Sequence, residues 1–132
     1  MNNVKSQIEY WRLSAERNWK TALGLLKLKH YDACLFFCHL ALEKILKGLV
    51  AQKTCQAPPF GHNLENFAKL AALELDDQQI SNLRTITTFN IAARYDEEKF
   101  AFYKICTKEY ATKFLKISED LFLCLKKEYL EN

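Results

Sequence analysis

The stretch that decides the fold is ACLFFCHLALEKILKGLVAQK, residues 33–53. Its apolar residues recur at steps of three and four, which is the spacing of one face of an α-helix. A second apolar set, with Phe36, Phe37 and Leu40, lies beside that face, and His39 is the one polar residue from position 33 to position 42. Such a segment is either the central helix of a bundle or a helix that serves a core and a subunit interface together. We favour the second interpretation, which predicts a homodimer packed through Phe36, Phe37, His39 and Leu40.

Helical spacing continues on both sides of this segment. Residues 4–28 carry one apolar stripe, and residues 97–129 are predicted to form one long helix with Phe100 and Tyr103 on its inner side. Between them, Asn63 is a suitable helix cap, and the acidic pair Asp76 and Asp77 belongs at a helix N-terminus, where it meets the positive end of the dipole. This order of segments predicts an all-α, antiparallel up-and-down bundle of four to five helices, three long and two short, in a single domain over residues 1–132.

The composition argues against several classes of function. The net charge of +3 is small, and Lys and Glu are interspersed rather than gathered into a basic face. Five cysteines without a CxxC pair predict free thiols in a reducing cytoplasm, and Cys34 and Cys38 lack the second ligand pair that a metal site needs. The N-terminus is polar, and no apolar run approaches the about 20 residues of a membrane span. We therefore expect a cytoplasmic protein with no metal, no cofactor and no membrane contact.

Three groups of residues could carry chemistry. Glu43, Lys44 and Lys47 form either a solvated ridge or a charged strip that holds a phosphate. His39, alone among apolar residues, is either a satisfied interface residue or a group that binds a ligand or transfers a proton.

The third group is Arg94, Tyr95 and Asp96. Its Arg offers a fork for phosphate and its Tyr a face for stacking a base. Alternatively, Arg94 pairs with Asp96 or Glu97 and fixes the start of the last helix. Spacing alone does not separate these interpretations.

Three stretches together resemble the HEPN domain family (higher eukaryotes and prokaryotes nucleotide-binding). They are HYDACLFFCHLALEKILKGLVAQK at 30–53, PPFGHNL at 58–64 and IAARYDEE at 91–98. The shared features are Tyr31 with Ala33 nearby, Glu43-Lys44-Ile45-Leu46-Lys47, His62-Asn63-Leu64 and Arg94-Tyr95-Asp96. The chain departs from the family pattern in lacking a Pro between Tyr95 and Asp96, and in having His39 where relatives often have Gln.

The resemblance implies a dimerising helical bundle, often encoded beside a minimal nucleotidyltransferase as a toxin–antitoxin pair. Many relatives are metal-independent ribonucleases that use an Arg and a His separated by four to six residues. At those spacings Arg94 is followed by Lys99, Phe100 and Ala101, so the expected acid–base group is missing.

Three hypotheses follow from these observations. The leading one is a non-catalytic, homodimeric protein that binds a nucleotide, an RNA or a minimal nucleotidyltransferase. Its ligand groove would be lined by Glu43, Lys44, Lys47, Arg94, Tyr95 and Asp96. The rival is a ribonuclease toxin in which folding brings His39 or His62 to Arg94. The third is a structural interaction module without a small ligand.

Overall fold

Six helices make up all the regular secondary structure in residues 2–130, the part of the chain that the computed structural model describes. In chain order they are α1 (Asn2–Lys27), α2 (Tyr31–Thr54), α3 (Leu64–Leu70), α4 (Asp77–Thr87), α5 (Asp96–Ile105) and α6 (Lys108–Lys126). Within residues 2–130, none of these helices is both long enough and apolar enough to cross a membrane. The predicted all-α bundle is confirmed, with six helices in this range rather than the predicted four to five.

Helix α2 is the central helix of the bundle. It packs against α1 along its length and also contacts α3, α4, α5 and α6. Contacts within one chain therefore account for most of its apolar surface, including the buried stripe through Leu35, Leu42 and Leu46. Phe36, Phe37 and Leu40 are only half-buried. The predicted seam also included His39, which is fully buried within this chain. The homodimer itself remains a prediction.

Local capping explains where the short helices begin. The Asn63 side chain accepts a hydrogen bond from the backbone N–H of Asn66, which confirms the predicted cap of α3. Asp76 caps α4 in a reciprocal capping box with Gln79. Helix α1 ends at Lys27, and the left-handed backbone of Lys29 just after it allows the N–H of His30 to reach the carbonyl of Leu25.

The last predicted helix is two helices, so its prediction as one long helix was wrong. Thr107 caps α6 by accepting a hydrogen bond from the N–H of Tyr110, and its extended backbone separates α6 from α5. The break changes which face of α5 points inward. Phe102 is the buried aromatic, whereas Phe100 and Tyr103 are 57% and 60% exposed and stack on each other.

Candidate functional site

The polar residues at the middle of α2 form a network with the loop before α3. Glu43, almost fully buried, accepts a hydrogen bond from Nδ1 of His62 at 2.8 Å through one carboxylate oxygen. Its other oxygen accepts one from Nζ of Lys47 at 3.0 Å. The network pins the loop that follows α2 to the helix surface.

His39 belongs to the same network and has no exposed surface. Its Nε2 donates to the backbone carbonyl of His62 at 3.0 Å and lies 3.6 Å from the Glu43 carboxylate. Burial lowers the pKa of the His39 imidazole, although the His62 carbonyl and Glu43 act in the opposite direction. The side chain therefore faces the interior of this chain, and its contacts hold the loop backbone.

Lys47 is enclosed rather than open to solvent. Its side chain is 11% exposed, and its ammonium lies 5.3 Å from the ring centre of Trp11 and 5.4 Å from that of Phe67. Cation–π contacts of this kind, together with the Glu43 ion pair, satisfy the charge locally. Glu43 and Lys47 thus compensate each other inside the fold.

Arg94, Tyr95 and Asp96 lie together at the start of α5. The Arg94 guanidinium donates to the carbonyl of Asn90 at 3.2 Å and pairs with Glu98 at 3.5 Å. Its partner is Glu98 rather than the Asp96 or Glu97 that spacing suggested. Among residues 3–130, Arg94 makes no hydrogen bond or ion pair with Glu43, Lys44, Lys47, His39 or His62.

The surroundings of Arg94 are acidic. Asp96, Glu97 and Glu98 fill the first turn of α5, and Tyr95 is 82% exposed in front of them. A phosphate bound to Arg94 would meet the Glu98 carboxylate, with Asp96 and Glu97 in the same helical turn, which disfavours an anion at this position.

A separate depression of about 570 Å³ lies between α1 and α2 and is strongly basic. Three cations line it, namely Arg17 and Lys20 from α1 and Lys44 from α2. Its other lining residues are polar or aromatic, and none is a carboxylate: Tyr10, Ser14, Asn18, Thr21 and Phe37. Each of the three cations lacks an ion-pair partner within the described part of the chain.

The pKa of Lys44 is lowered mainly by burial, and neighbouring charges act on it in both directions. Partial burial lowers the pKa of its ammonium, and the charges of Lys47 and Arg17 lower it further, while Glu43 raises it. Arg12, which precedes Arg17 on α1, differs from the cations of the depression because it pairs with Glu9 and Glu16. An anion bound in the depression would relieve the repulsion among its cations.

The structure therefore divides the predicted ligand residues among three places. Glu43 and Lys47 meet in the network, Lys44 lines the basic depression, and Arg94 with its neighbours lies at α5. Sequence reasoning missed Arg17 and Lys20, because on α1 alone they resemble part of an ordinary polar face. The sequence analysis identified the His-Asn-Leu stretch that contains His62, but not the hydrogen bond of His62 with Glu43.

Metal-ligating side chains do not cluster in this protein: between residues 3 and 130 no group of three or more His, Cys, Asp or Glu side chains is arranged to hold an ion. All five thiols are free, and Cys34, Cys38 and Cys106 are buried.

Comparison with known proteins identifies the family. The fold matches the crystal structure of TT1696 from Thermus thermophilus with a TM-score of 0.74 and 21% identity, covering 98% of this chain and 100% of that one. It also matches ST0689, described as an archaeal HEPN homologue, with a TM-score of 0.70 and 17% identity, covering 92% and 96% of the two chains. No curated protein is significantly similar in sequence. The family model of the HEPN domain matches residues 8–129, and the chain therefore belongs to the HEPN domain family.

Proposed function

We propose that this protein is a non-catalytic HEPN protein that binds a phosphate-bearing ligand, a nucleotide or an RNA, in the basic depression between α1 and α2. The observation that carries the proposal is the convergence of Arg17, Lys20 and Lys44 on a depression without a carboxylate in its lining. Such a group of uncompensated cations favours phosphate, which accepts several charge-assisted hydrogen bonds at once.

The proposed ligand site is the basic depression, which differs from the groove that the sequence suggested. Glu43 and Lys47 neutralise each other, and the acidic first turn of α5 surrounds Arg94. Of the residues first assigned to the groove, Lys44 is the one with other cations beside it and no bound carboxylate.

The non-catalytic part of the proposal rests on the positions of the histidines. Cleavage through the 2′-OH of RNA needs a group that moves a proton beside one that stabilises the phosphate. His39 and His62 both bond within the Glu43 network, while Arg94 bonds to Asn90 and Glu98. Their hydrogen bonds give no support to the ribonuclease alternative.

A binding titration tests the proposal. ATP and a ten-nucleotide single-stranded RNA are titrated into the protein by calorimetry, in wild type and in the double variant Arg17→Gln/Lys44→Gln. Loss of two charged hydrogen bonds is expected to weaken binding by about tenfold or more. The matched control is Lys108→Gln, which removes an exposed charge on α6 and is expected to bind as wild type does. Binding that the double variant leaves unchanged would refute the assignment of the site.

A cleavage assay tests the absence of catalysis. We expect labelled RNA to stay intact when incubated with the protein in the presence of EDTA. Degradation that Arg94→Ala abolishes would instead support the ribonuclease alternative.

A protein partner is a second candidate function, and the stacked pair on α5 favours it. Phe100 and Tyr103 are more than half exposed, and large exposed aromatics are enriched where proteins meet. A minimal nucleotidyltransferase is the partner implied by the family resemblance, in a toxin–antitoxin pair. Co-purification with such an enzyme, lost in Phe100→Ser/Tyr103→Ser and kept in Lys108→Gln, would support this function.

We also propose that the protein forms a homodimer. Its seam would use Phe36, Phe37 and Leu40, which α1 and the other helices leave half-exposed. Light scattering that gives a mass near 15.4 kDa at micromolar concentration would exclude the dimer.

A further inference from the structure

One histidine of the Glu43 network presents a ring nitrogen to solvent. Nδ1 of His62 lies 2.8 Å from Oε1 of Glu43. Because a carboxylate oxygen is an acceptor, Nδ1 carries the proton of the neutral imidazole, and the lone pair belongs to Nε2. The His62 side chain is 61% exposed. Its Nε2 forms no hydrogen bond within the described part of the chain, so this nitrogen is open to an incoming group.

Both the ring and the backbone of His62 are held in place. The second oxygen of Glu43 accepts a hydrogen bond from Nζ of Lys47 at 3.0 Å, which keeps the carboxylate facing the ring. Nε2 of His39 donates to the backbone carbonyl of His62 at 3.0 Å. The exposed imidazole therefore keeps one tautomer and one orientation before any reactant arrives.

This arrangement suits a nitrogen nucleophile. When Nε2 forms a bond, the ring becomes positively charged, and the carboxylate of Glu43 behind Nδ1 stabilises that charge. The contact that pins the loop to α2 uses Nδ1 alone, and a side-chain amide would donate the same hydrogen bond. What the imidazole adds is a second nitrogen, on the exposed side, that the pin does not use.

The exposure of the ring indicates which group it accepts. An acylated imidazole hydrolyses readily in water, whereas a phosphorylated imidazole persists long enough to serve as a modified state of the protein. The basic depression does not include His62 in its lining, so a modification at this ring is independent of the ligand site proposed above.

We propose that His62 is a phosphoryl acceptor, modified at Nε2 by a donor that carries its phosphoryl group on nitrogen, as phosphoramidate does. The lone pair of Nε2 forms the new N–P bond while the P–N bond of the donor breaks. The donor nitrogen, which is protonated at neutral pH, leaves with that electron pair as ammonia. Glu43 stabilises the charged ring until the Nδ1 proton passes to water. The products are phosphorylated His62 and ammonia.

His30 provides a control within the same chain. It is exposed, and its side chain forms no capping hydrogen bond at the start of α2. Wild-type protein is incubated with phosphoramidate at neutral pH, and mass spectrometry follows the phosphorylation of each histidine. We expect His62 to react roughly tenfold faster than His30 or more, because only His62 has a carboxylate behind the ring. Phosphorus magnetic resonance should identify the Nε2 product at His62.

Two further measurements test whether the fold causes the difference. In denaturing urea, His62 and His30 are expected to react at the same rate, because the contact with Glu43 is lost. In Glu43→Gln the rate at His62 should fall toward that of His30, while Glu97→Gln, on α5, should leave it unchanged. Circular dichroism verifies that each variant is folded under the conditions of the reaction.

The unfolded and folded wild-type proteins decide the outcome even if Glu43→Gln fails to fold. Equal rates at His30 and His62 in the folded protein would overturn the proposal. So would a faster rate at His62 that persists in urea, since the local sequence would then be its cause. A product formed mainly at Nδ1 would also overturn it, because Glu43 occupies that nitrogen.

Discussion

Nδ1 of His62 lies 2.8 Å from the carboxylate of Glu43, a residue nineteen positions earlier in the chain. The two ends of this contact differ in environment, since the His62 side chain is 61% exposed and that of Glu43 is 6% exposed. The same carboxylate binds Lys47, so one buried acid organises both the middle of α2 and the loop before α3.

Glu43→Gln is expected to destabilise the protein by about 3 kcal/mol, because the enclosed ammonium of Lys47 loses its counter-charge. Urea denaturation at pH 7.5 measures the change. His62→Ala should cost less, about 1 kcal/mol, since its ring is largely in water. Glu97→Gln is the control, as Glu97 is exposed on α5 and forms no ion pair among the described residues. Equal stability of Glu43→Gln and Glu97→Gln would contradict the central role of Glu43.

His39 should make the stability depend on pH. Burial lowers its pKa in the folded protein below 6.5, so the unfolded chain takes up more protons as the pH falls through that value. The free energy of unfolding therefore has its highest value above pH 6.5, as far as His39 is concerned, and decreases below that pH. His39→Gln keeps a donor for the His62 carbonyl but does not titrate, while Glu43, His62 and Lys47 remain in both proteins.

Urea denaturation at pH 7.5 and pH 5.5 distinguishes the two proteins. We expect wild type to lose more stability than His39→Gln between these values, because the unfolded wild-type chain takes up the proton that the buried imidazole resists. Parallel losses in both proteins would show that His39 does not carry the dependence.

Gly48 allows α2 to approach the C-terminal segment. A Cβ at this position would lie 2.0 Å from Oη of Tyr129 and 3.1 Å from Cβ of Trp11. The same Tyr129 hydroxyl donates to the carbonyl of Ile45 at 2.6 Å, so it cannot move without losing that bond. Gly48→Ala is therefore expected to destabilise by about 1–3 kcal/mol, despite the better helix propensity of Ala.

Gly24→Ala is the matched control for Gly48→Ala. Gly24 also lies in a helix, but nothing within 4 Å would meet its Cβ. This variant should gain up to about 1 kcal/mol from helix propensity. A similar stability change in the two variants, measured by thermal denaturation, would argue against the close packing at Gly48.

Thr107 separates α5 from α6, and its removal tests that break. Thr107→Ala is expected to destabilise by about 1 kcal/mol because the cap of α6 is lost, whereas Thr107→Ser should keep most of the stability. Thr112→Ala, at an exposed position inside α6, serves as the control and should be neutral or stabilising. A neutral Thr107→Ala would mean that the cap does not fix the break.

Features of the fold that depend on residues close together in the sequence, such as helix caps, could be predicted from the sequence. Asn63 and the acidic pair at 76–77 start their helices as expected, because capping acts within one turn. The break at Thr107 was missed because α5 and α6 each follow the same helical spacing, and a polar cap between them resembles any exposed position of one long helix.

Features that depend on packing were not predictable in the same way. The contact of His62 with Glu43 is fixed by the path of the loop over α2, and nothing local signals it. The basic depression forms only when α2 packs on α1, which brings Lys44 beside Arg17. The family resemblance directed attention to Arg94, whose neighbours in this chain are acidic.

Nuclear magnetic resonance mapping of ATP binding tests the central claim most directly. ATP is titrated into isotopically labelled protein, and backbone amide shifts are followed residue by residue. The account predicts that the largest changes fall near Arg17, Lys20 and Lys44, at the basic depression between α1 and α2. Changes concentrated at Arg94, Tyr95 and Asp96, or no changes at saturating ATP, would contradict it.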